Sequence, residues 1–144
     1  MAKHEARGRR DILASTMKIP YTPPTLADFR RAMAEVLRRN QERLRDPAFR
    51  AQVDRARDEA AAVARMLKAR FGATRVRLHG SLARLDCSED FDIDMAVEGI
   101  EARRFFEALD EAERLVSRKL DLIDLKDATD LMRKRVQLDG VDLP

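Results

Sequence analysis

The stretch of sequence that decides the fold runs from residue 76 to residue 97 and reads VRLHGSLARLDCSEDFDIDMAV. Apolar and polar residues alternate at both of its ends, a pattern typical of β-strands that bury one face. In the second strand this alternation places Asp92 and Asp94 on one face, while Ile93 anchors the opposite face in the core. Two carboxylates side by side repel each other. The pattern therefore predicts either a cation site or an edge strand that faces solvent.

The turn after the first strand carries a second candidate feature, the pair Gly80-Ser81. A glycine lets the backbone approach a ligand closely, and a helical turn from Ser81 to Arg84 would direct N–H groups and a hydroxyl towards phosphate. Gly-Ser pairs are also common in ordinary turns, so the pair alone does not establish a site. His79 could touch a phosphate, although a lone histidine at a strand end is more often packed or hydrogen-bonded.

A third acid belongs to the predicted strand between Lys119 and Leu125, which carries Asp121 and Asp124. If this strand lies beside the strand of Asp92 and Asp94, one of its acids can complete a carboxylate triad, and the other lies on the opposite face. Alternation alone does not decide between them. We favour Asp121, because it stands between two core leucines, whereas Asp124 lies near the strand end, where aspartate commonly caps a helix.

The rest of the chain predicts helices around these strands. Thr25 and Asp28 form a capping box at the start of one predicted helix. Asp46-Pro47 marks the start of another, whose apolar residues are spaced by four or three, and Gly72 stands where its C-cap belongs. The predicted helices are 26–45, 46–71, 100–117 and 127–138, with Phe105, Phe106, Leu109, Ala112 and Val116 of the third facing the core. The order α-α-β-β-α-β-α predicts an α/β domain with a small mixed sheet flanked by helices. We expect a mobile basic arm over residues 1–24, a helical extension packing on the core over 25–71, and the core itself over 72–144.

Composition limits the possible classes of protein. The chain has 144 residues, of which 44% are apolar and 38% charged, which suits one domain with extended charged surface. The longest apolar run, 60–64, is far shorter than the roughly 18 residues of a membrane span. A single cysteine, Cys87, excludes an internal disulfide and a multi-cysteine zinc site. We expect a cytoplasmic protein.

The charge is distributed unevenly. Residues 1–71 carry 17 basic and 9 acidic side chains, a net +8, and residues 72–144 carry 12 and 17, a net −5. The basic half could face nucleic acid or an acidic protein, or could simply be a solvated helical face. The acidic half could require metal ions to neutralise it.

These features form a specific combination when they are taken together. A strand runs into Gly80-Ser81, ten residues follow, and then come Asp92-Ile93-Asp94 and a later strand that carries an acid. This combination resembles the signature of the DNA polymerase β-like nucleotidyltransferase superfamily. In finer detail it looks like the minimal nucleotidyltransferases, small proteins often paired with a HEPN-domain ribonuclease toxin, for which some act as antitoxins. The resemblance covers roughly residues 76–143 and implies a nucleotidyltransferase-like fold with an N-terminal helical extension.

The resemblance also implies a chemistry, namely Mg²⁺-dependent transfer of AMP from ATP to a hydroxyl, with a tyrosine of the HEPN toxin as the expected acceptor (AMPylation). Two Mg²⁺ ions are implied, one held by Asp92 and Asp94 with the triphosphate and a second that also involves Asp121. Gly80 and Ser81 would hold the β- and γ-phosphates, and Arg84 would contact the triphosphate or the acceptor.

Two other functions are open to a protein with this resemblance. The protein could instead neutralise a toxin by contact without catalysis, or transfer the nucleotide to RNA along its basic half.

The sequence departs from the family pattern at two positions. The family often has Gly after the arginine and Ser before the first acid, where this chain has Leu85 and Phe91. Neither departure removes a metal ligand, but both lie in the loop expected above the triphosphate.

Overall fold

The computed structural model describes residues 20–144, so most of the predicted N-terminal arm lies outside the described residues. Residues 34–144 form one compact unit, and the residues up to Met33 belong to a second. The elements, in chain order, are α1 (Leu26–Arg43), α2 (Pro47–Phe71), β1 (Arg75–His79), α3 (Gly80–Arg84), β2 (Ile93–Glu98), a 3₁₀ helix (Ala102–Arg104), α4 (Phe105–Glu113), β3 (Leu120–Asp124), α5 (Asp130–Asp139) and β4 (Val141–Asp142).

The first two helices begin at the predicted residues. At the start of α1 the Thr25 hydroxyl accepts the N–H of Asp28 (3.1 Å), and the Asp28 carboxylate accepts the N–H of Thr25 (2.9 Å). At the start of α2 the Asp46 carboxylate accepts the N–H of Ala48 (3.1 Å), and at its end Gly72 takes the left-handed conformation with φ +71°. No residue of α1 is buried, whereas α2 contributes eight residues to the core.

Four strands form one mixed sheet in the order β3-β2-β1-β4, in which β1 is antiparallel to both of its neighbours and β2 is parallel to β3. Val76 and Leu78 of β1 and Met95 of β2 are fully buried in one cluster with residues of α2. The predicted α/β class and small mixed sheet are confirmed. No helix within residues 20–144 has the length and apolar character needed to cross a membrane.

Several predicted boundaries are wrong, each for a local reason. The predicted helix 100–117 is a 3₁₀ turn followed by the shorter α4, and Phe106 is 78% exposed instead of buried. Consecutive residues on a helix point about 100° apart, so Phe105, which packs on the core, turns Phe106 outward. The start of α5 lies at Asp130 because the Thr129 hydroxyl accepts the N–H of Met132 (3.2 Å). No pattern in the sequence predicts β4, whose two residues pair with β1.

Candidate active site

The register of the sheet brings the acids of β2 and β3 together. Asp94 lies directly opposite Asp121 in the parallel pair, and His79 of β1 lies opposite Asp94 in the antiparallel pair. Directly opposed residues share a face of the sheet, so these three side chains form a row across three strands. Asp124 pairs with Val97 and therefore belongs to the other face. Its carboxylate is only 8% exposed and accepts the N–H of Lys126 (3.0 Å).

The surroundings of Asp94 disfavour its charged form. Its pKa is raised, first because burial disfavours the charged carboxylate, and further because Asp121 and Asp92 repel its charge, while His79 acts in the opposite direction. Asp92 immediately precedes β2 and is half-buried, as Asp94 is, whereas Asp121 is exposed. Burial and the two neighbouring carboxylates thus disfavour the charged form of Asp94.

The turn at Gly80 lies against Asp94. There β1 passes directly into the five-residue helix α3, and Gly80 adopts φ +69°, a left-handed conformation that favours glycine. A Cβ atom at position 80 would overlap the Oδ2 atom of Asp94. Any other residue here would therefore strain the backbone and displace the carboxylate. This close approach is a role for Gly80 that the sequence pattern did not reveal.

Ser81 and Arg84 occupy the same short helix. The Ser81 carbonyl accepts the N–H of Asp86 (3.1 Å), which fixes the loop that follows α3. The Arg84 guanidinium is bound by two carboxylates, with Nε 3.0 Å from Asp86 Oδ2 and Nη1 2.8 Å from Asp139 Oδ2. Arg84 therefore links α3 to α5, and contact with a triphosphate would require it to exchange at least one of these partners.

The two departures from the family pattern have clear structural roles. Leu85 ends α3 in the left-handed conformation with φ 60°, which is the conformation a glycine adopts without strain. Phe91 is buried and packs edge-on against Phe49 with 6.0 Å between ring centroids. The guanidinium carbon of Arg118 lies over the Phe91 ring, 3.7 Å from its centroid. Phe91 thus anchors the start of β2, and with it the position of Asp92, in the core.

Cys87 is a buried free thiol. Burial raises its pKa, and the nearby Asp86 acts in the same direction. The reactive thiolate is therefore disfavoured. This environment argues against a nucleophilic role for Cys87.

The chemistry of the acid cluster fits a divalent cation. Carboxylate oxygens are the ligands that Mg²⁺ prefers, and a cation would relieve the repulsion that raises the pKa of Asp94. Within residues 20–144 no three His, Cys, Asp or Glu side chains are grouped closely enough to form a complete metal site. The opposed pair Asp94 and Asp121 supplies two of the ligands, and Asp92, two residues before Asp94, is the residue that could supply a third.

The chain belongs to the polymerase beta nucleotidyltransferase family, whose pattern, described as "Polymerase beta, Nucleotidyltransferase", matches residues 62–143. The match begins within α2, includes the Gly80 turn and all three acids, and leaves out α1. The predicted membership of the nucleotidyltransferase superfamily is confirmed. No curated protein matches the chain in sequence.

Three solved structures are similar to this chain. A protein described as a candidate minimal nucleotidyltransferase is 29% identical with a TM-score of 0.51, and the match covers 62% of this chain and 93% of that one. A toxin-antitoxin structure with AMP-PNP is 21% identical with a TM-score of 0.51, covering 60% of this chain and 72% of that chain. A mutant of the toxin-antitoxin pair MntA-HpeT is 18% identical with a TM-score of 0.52, covering 59% and 72%. The last two similarities show a shared fold.

Proposed function

We propose that this protein is a Mg²⁺-dependent nucleotidyltransferase that transfers AMP from ATP to a hydroxyl group of a partner protein. The observation that supports the proposal is the sheet register, which places Asp94 directly opposite Asp121 on one face of the sheet. The backbone of Gly80, in the adjacent turn, lies directly against the Asp94 carboxylate. Nucleotidyl transfer needs negative charge neutralised at the phosphates and an acceptor oxygen aligned with the α-phosphorus. A carboxylate cluster that holds divalent cations beside a tight turn would meet both needs.

The site residues divide into two groups. Asp92, Asp94 and Asp121 would bind two divalent cations, and Gly80 and Ser81 would hold the β- and γ-phosphates through the backbone and the hydroxyl. Arg84, at the end of the same short helix, would contact the triphosphate or the acceptor. Magnesium, when bound, would offset the negative charge of the triphosphate and of the attacking oxygen.

In the transfer step the acceptor oxygen forms a bond to the α-phosphorus as the bond between that phosphorus and the bridging oxygen breaks, so that pyrophosphate leaves with the electron pair. The acceptor hydroxyl loses its proton during this step. Asp121 is the exposed member of the acid row, so we assign the acceptor to its side of the site and the proton to one of its carboxylate oxygens. Asp94, half-buried between its neighbours, is better placed to hold a cation than to meet a second macromolecule.

The acceptor we propose is a tyrosine of a HEPN-domain toxin, which would make this protein an antitoxin that acts by AMPylation. Support comes from the similarity to solved toxin-antitoxin structures, one of them described with the ATP analogue AMP-PNP. An acceptor carried by a partner protein also suits the exposure of Asp121. The comparisons give no support for RNA as the acceptor.

The test is an assay of AMP transfer. The purified protein is incubated with ATP labelled at the α-phosphate, Mg²⁺ and the protein encoded by the neighbouring gene, and label on that protein is measured. We expect labelling that requires Mg²⁺ and falls at least a hundredfold in Asp94→Asn and Asp121→Asn. Failure of the intact protein to label its neighbour would contradict the proposed acceptor.

The chain offers a matched control for this assay. Asp124 lies on the same strand as Asp121 but on the opposite face, and the Asn side chain of Asp124→Asn can still accept the N–H of Lys126. We expect Asp124→Asn to retain transfer within about threefold of the original rate. Equal losses in Asp121→Asn and Asp124→Asn would point to damage of β3 in general and would remove the evidence for Asp121.

A second candidate function is neutralisation of the toxin by contact alone. One observation favours it, namely that no three potential ligands within residues 20–144 are grouped closely enough for a complete metal site. The double variant Asp92→Ala with Asp94→Ala separates the two functions in cells that carry the toxin. An enzyme loses protection while its fold is retained, whereas a contact antitoxin keeps it.

A further inference from the structure

An ion pair at the edge of the candidate site joins two helices that are far apart in the chain. Arg84, the last residue of α3, binds Asp139, the last residue of α5, with 2.8 Å between Nη1 and Asp139 Oδ2. The Nε atom of the same guanidinium lies 3.0 Å from Asp86 Oδ2. Two carboxylates therefore share the positive charge of an arginine that lies on the same short helix as Ser81.

The local preferences of a helix do not account for Asp139. The free carbonyl groups at a helix C-terminus carry partial negative charge, so a basic side chain is favoured there and an acidic one is not. Asp139 nevertheless ends α5, and the last turn of that helix has no basic residue. Departures from local preference are expected where a residue serves a site or a tertiary contact. The contact that Asp139 makes is the ion pair with Arg84.

Both members of the ion pair lie within electrostatic reach of the row formed by His79, Asp94 and Asp121. Burial raises the pKa of Asp94, and the charge of Arg84 is among the influences that oppose this shift. Burial lowers the pKa of His79, and Asp139 is among the carboxylates that oppose that shift. A triphosphate bound at the row would therefore be attracted by Arg84 and repelled by Asp139.

The two carboxylates differ in how easily they can release Arg84. Asp86 belongs to the loop that follows α3, its N–H donates to the Ser81 carbonyl (3.1 Å), and its side chain is 13% exposed. Asp139 belongs to a different helix, and its side chain is 31% exposed. Water can solvate the Asp139 carboxylate more readily once the bond is broken, whereas Asp86 stays beside α3. We therefore expect Nη1 to be released and Nε to remain bound.

The end of α5 has a separate attachment to the sheet. Arg77 of β1 donates hydrogen bonds to the carbonyls of Val136 (3.2 Å) and Gly140 (2.7 Å), at the end of this helix. These bonds do not involve Arg84. An exchange of partners at Arg84 is therefore a local change of side chains that leaves α5 attached.

We propose that Asp139 and the triphosphate compete for Arg84, so that Asp139 holds Nη1 in the nucleotide-free protein and yields it to a β- or γ-phosphate oxygen when the nucleotide binds. The inference rests on the proposed function, since it places the triphosphate beside α3. Guanidinium N–H groups form charge-assisted hydrogen bonds with carboxylates and with phosphates, so one partner can replace the other. Asp139 is thus a positioning residue that acts through Arg84, and Arg84 is assigned to the triphosphate instead of the acceptor.

The test measures nucleotide binding by isothermal titration calorimetry in the presence of Mg²⁺. The ligand is an ATP analogue with a methylene group in place of the oxygen between the α- and β-phosphates, which prevents transfer of AMP. Asp139→Asn removes the competing charge and keeps a side chain of the same shape. Because a partly exposed ion pair changes an equilibrium constant by at most about fivefold, we expect Asp139→Asn to bind the analogue about three- to fivefold more tightly than the original protein.

Two controls separate competition for Arg84 from a general effect of charge. Asp142→Asn removes the same charge from a carboxylate that pairs with Arg75 (2.9 Å), and we expect it to change the affinity by less than about 1.5-fold. In the Arg84→Gln background, adding Asp139→Asn should give no further gain, since a residue that acts through Arg84 has no effect once Arg84 is absent. Circular dichroism establishes that each variant is folded.

Unchanged or weaker binding in Asp139→Asn would overturn the inference. An equal gain in Asp142→Asn, or a gain from Asp139→Asn that persists in Arg84→Gln, would also overturn it, because either result would show a general effect of charge. All of these results leave the proposed function standing, provided that the original protein binds the analogue. If the original protein does not bind it, the proposed function fails and the inference fails with it.

A measurement on the original protein tests the inference even if a variant does not fold. In its crystal structure with Mg²⁺ and the same analogue, we expect Arg84 Nη1 to lie about 3 Å from a phosphate oxygen and to have left Asp139. An Nη1 atom that remains on Asp139 beside the bound triphosphate would overturn the proposed competition.

Discussion

Leu85 provides a sharp test of the backbone geometry beside the site. It ends α3 at φ 60° and ψ 39°, a conformation that costs an L-residue about 1–2 kcal/mol and costs glycine nothing. The leucine side chain also packs against the core, so replacing it loses apolar burial. The loss of apolar burial cancels when Leu85→Ala is compared with Leu85→Gly, because both variants lose the leucine side chain. Only the alanine variant keeps the backbone strain.

The expected difference follows from two opposing contributions. Glycine relieves about 1–2 kcal/mol of strain but gives the unfolded chain extra freedom worth about 0.4–1 kcal/mol. Leu85→Gly should therefore be more stable than Leu85→Ala by about 0.5–1 kcal/mol, measured as the free energy of unfolding in urea. At an ordinary helical position the order would be reversed.

Gly72 supplies the control. It caps α2 at φ +71°, and among residues 20–144 no atom outside Gly72 and its two chain neighbours lies within 4 Å of the position that a Cβ would take, so Gly72→Ala changes the backbone preference and little else. We expect Gly72→Ala to lower the free energy of unfolding by about the same 0.5–1 kcal/mol. If Leu85→Ala is as stable as Leu85→Gly or more stable, while Gly72→Ala shows its expected loss, the left-handed backbone at position 85 carries no strain.

Three further predictions concern the site and its supports. Asp94→Asn should raise the melting temperature of the metal-free protein at pH 7. The pKa of Asp94 is raised in the folded state, so the stability of the original protein declines as pH rises from the unfolded-state pKa to the folded-state pKa. The gain in melting temperature should therefore vanish below pH 3.8, where Asp94 is protonated in both states. A higher melting temperature that persists below this pH would contradict the proposed cause. Gly80→Ala should abolish AMP transfer, since its methyl group would displace the Asp94 carboxylate, and a variant with full activity would show that the turn does not constrain the acid. Arg118→Ala should lower the free energy of unfolding in urea by about 2 kcal/mol, because Arg118 stacks on Phe91 and donates a hydrogen bond to the Phe91 carbonyl (3.1 Å). Arg118→Lys should recover less than half of this loss, since lysine keeps the charge but not the planar guanidinium. Full recovery in Arg118→Lys would show that charge alone matters.

The sequence predicts most accurately the elements whose ends are set by local chemistry. The helix α2 runs as expected up to Gly72, because Asp46 supplies a cap and glycine can adopt the left-handed conformation at its end. The shorter α4 shows the limit of this approach, since its apolar periodicity does not reveal that the first turn is a 3₁₀ helix or that Phe106 faces solvent. The two-residue β4 depends entirely on pairing with β1 and has no local signal of its own.

The candidate site was predictable to a similar degree. Strand alternation placed Asp92 and Asp94 on one face, but the choice between Asp121 and Asp124 requires the pairing register, which the structure gives. The burial of His79 and the contact between Gly80 and Asp94 are tertiary features that arise only when three strands and a turn come together. Single-sequence patterns do not contain that information.

The most direct test of the central claim is a crystal structure of the protein grown with Mn²⁺ and a non-hydrolysable ATP analogue, with the metal located from its anomalous scattering. We expect a Mn²⁺ peak within about 2.5 Å of carboxylate oxygens of both Asp94 and Asp121, with the triphosphate beside Gly80 and Ser81. A nucleotide bound elsewhere, or Mn²⁺ peaks that avoid both acids, would contradict it.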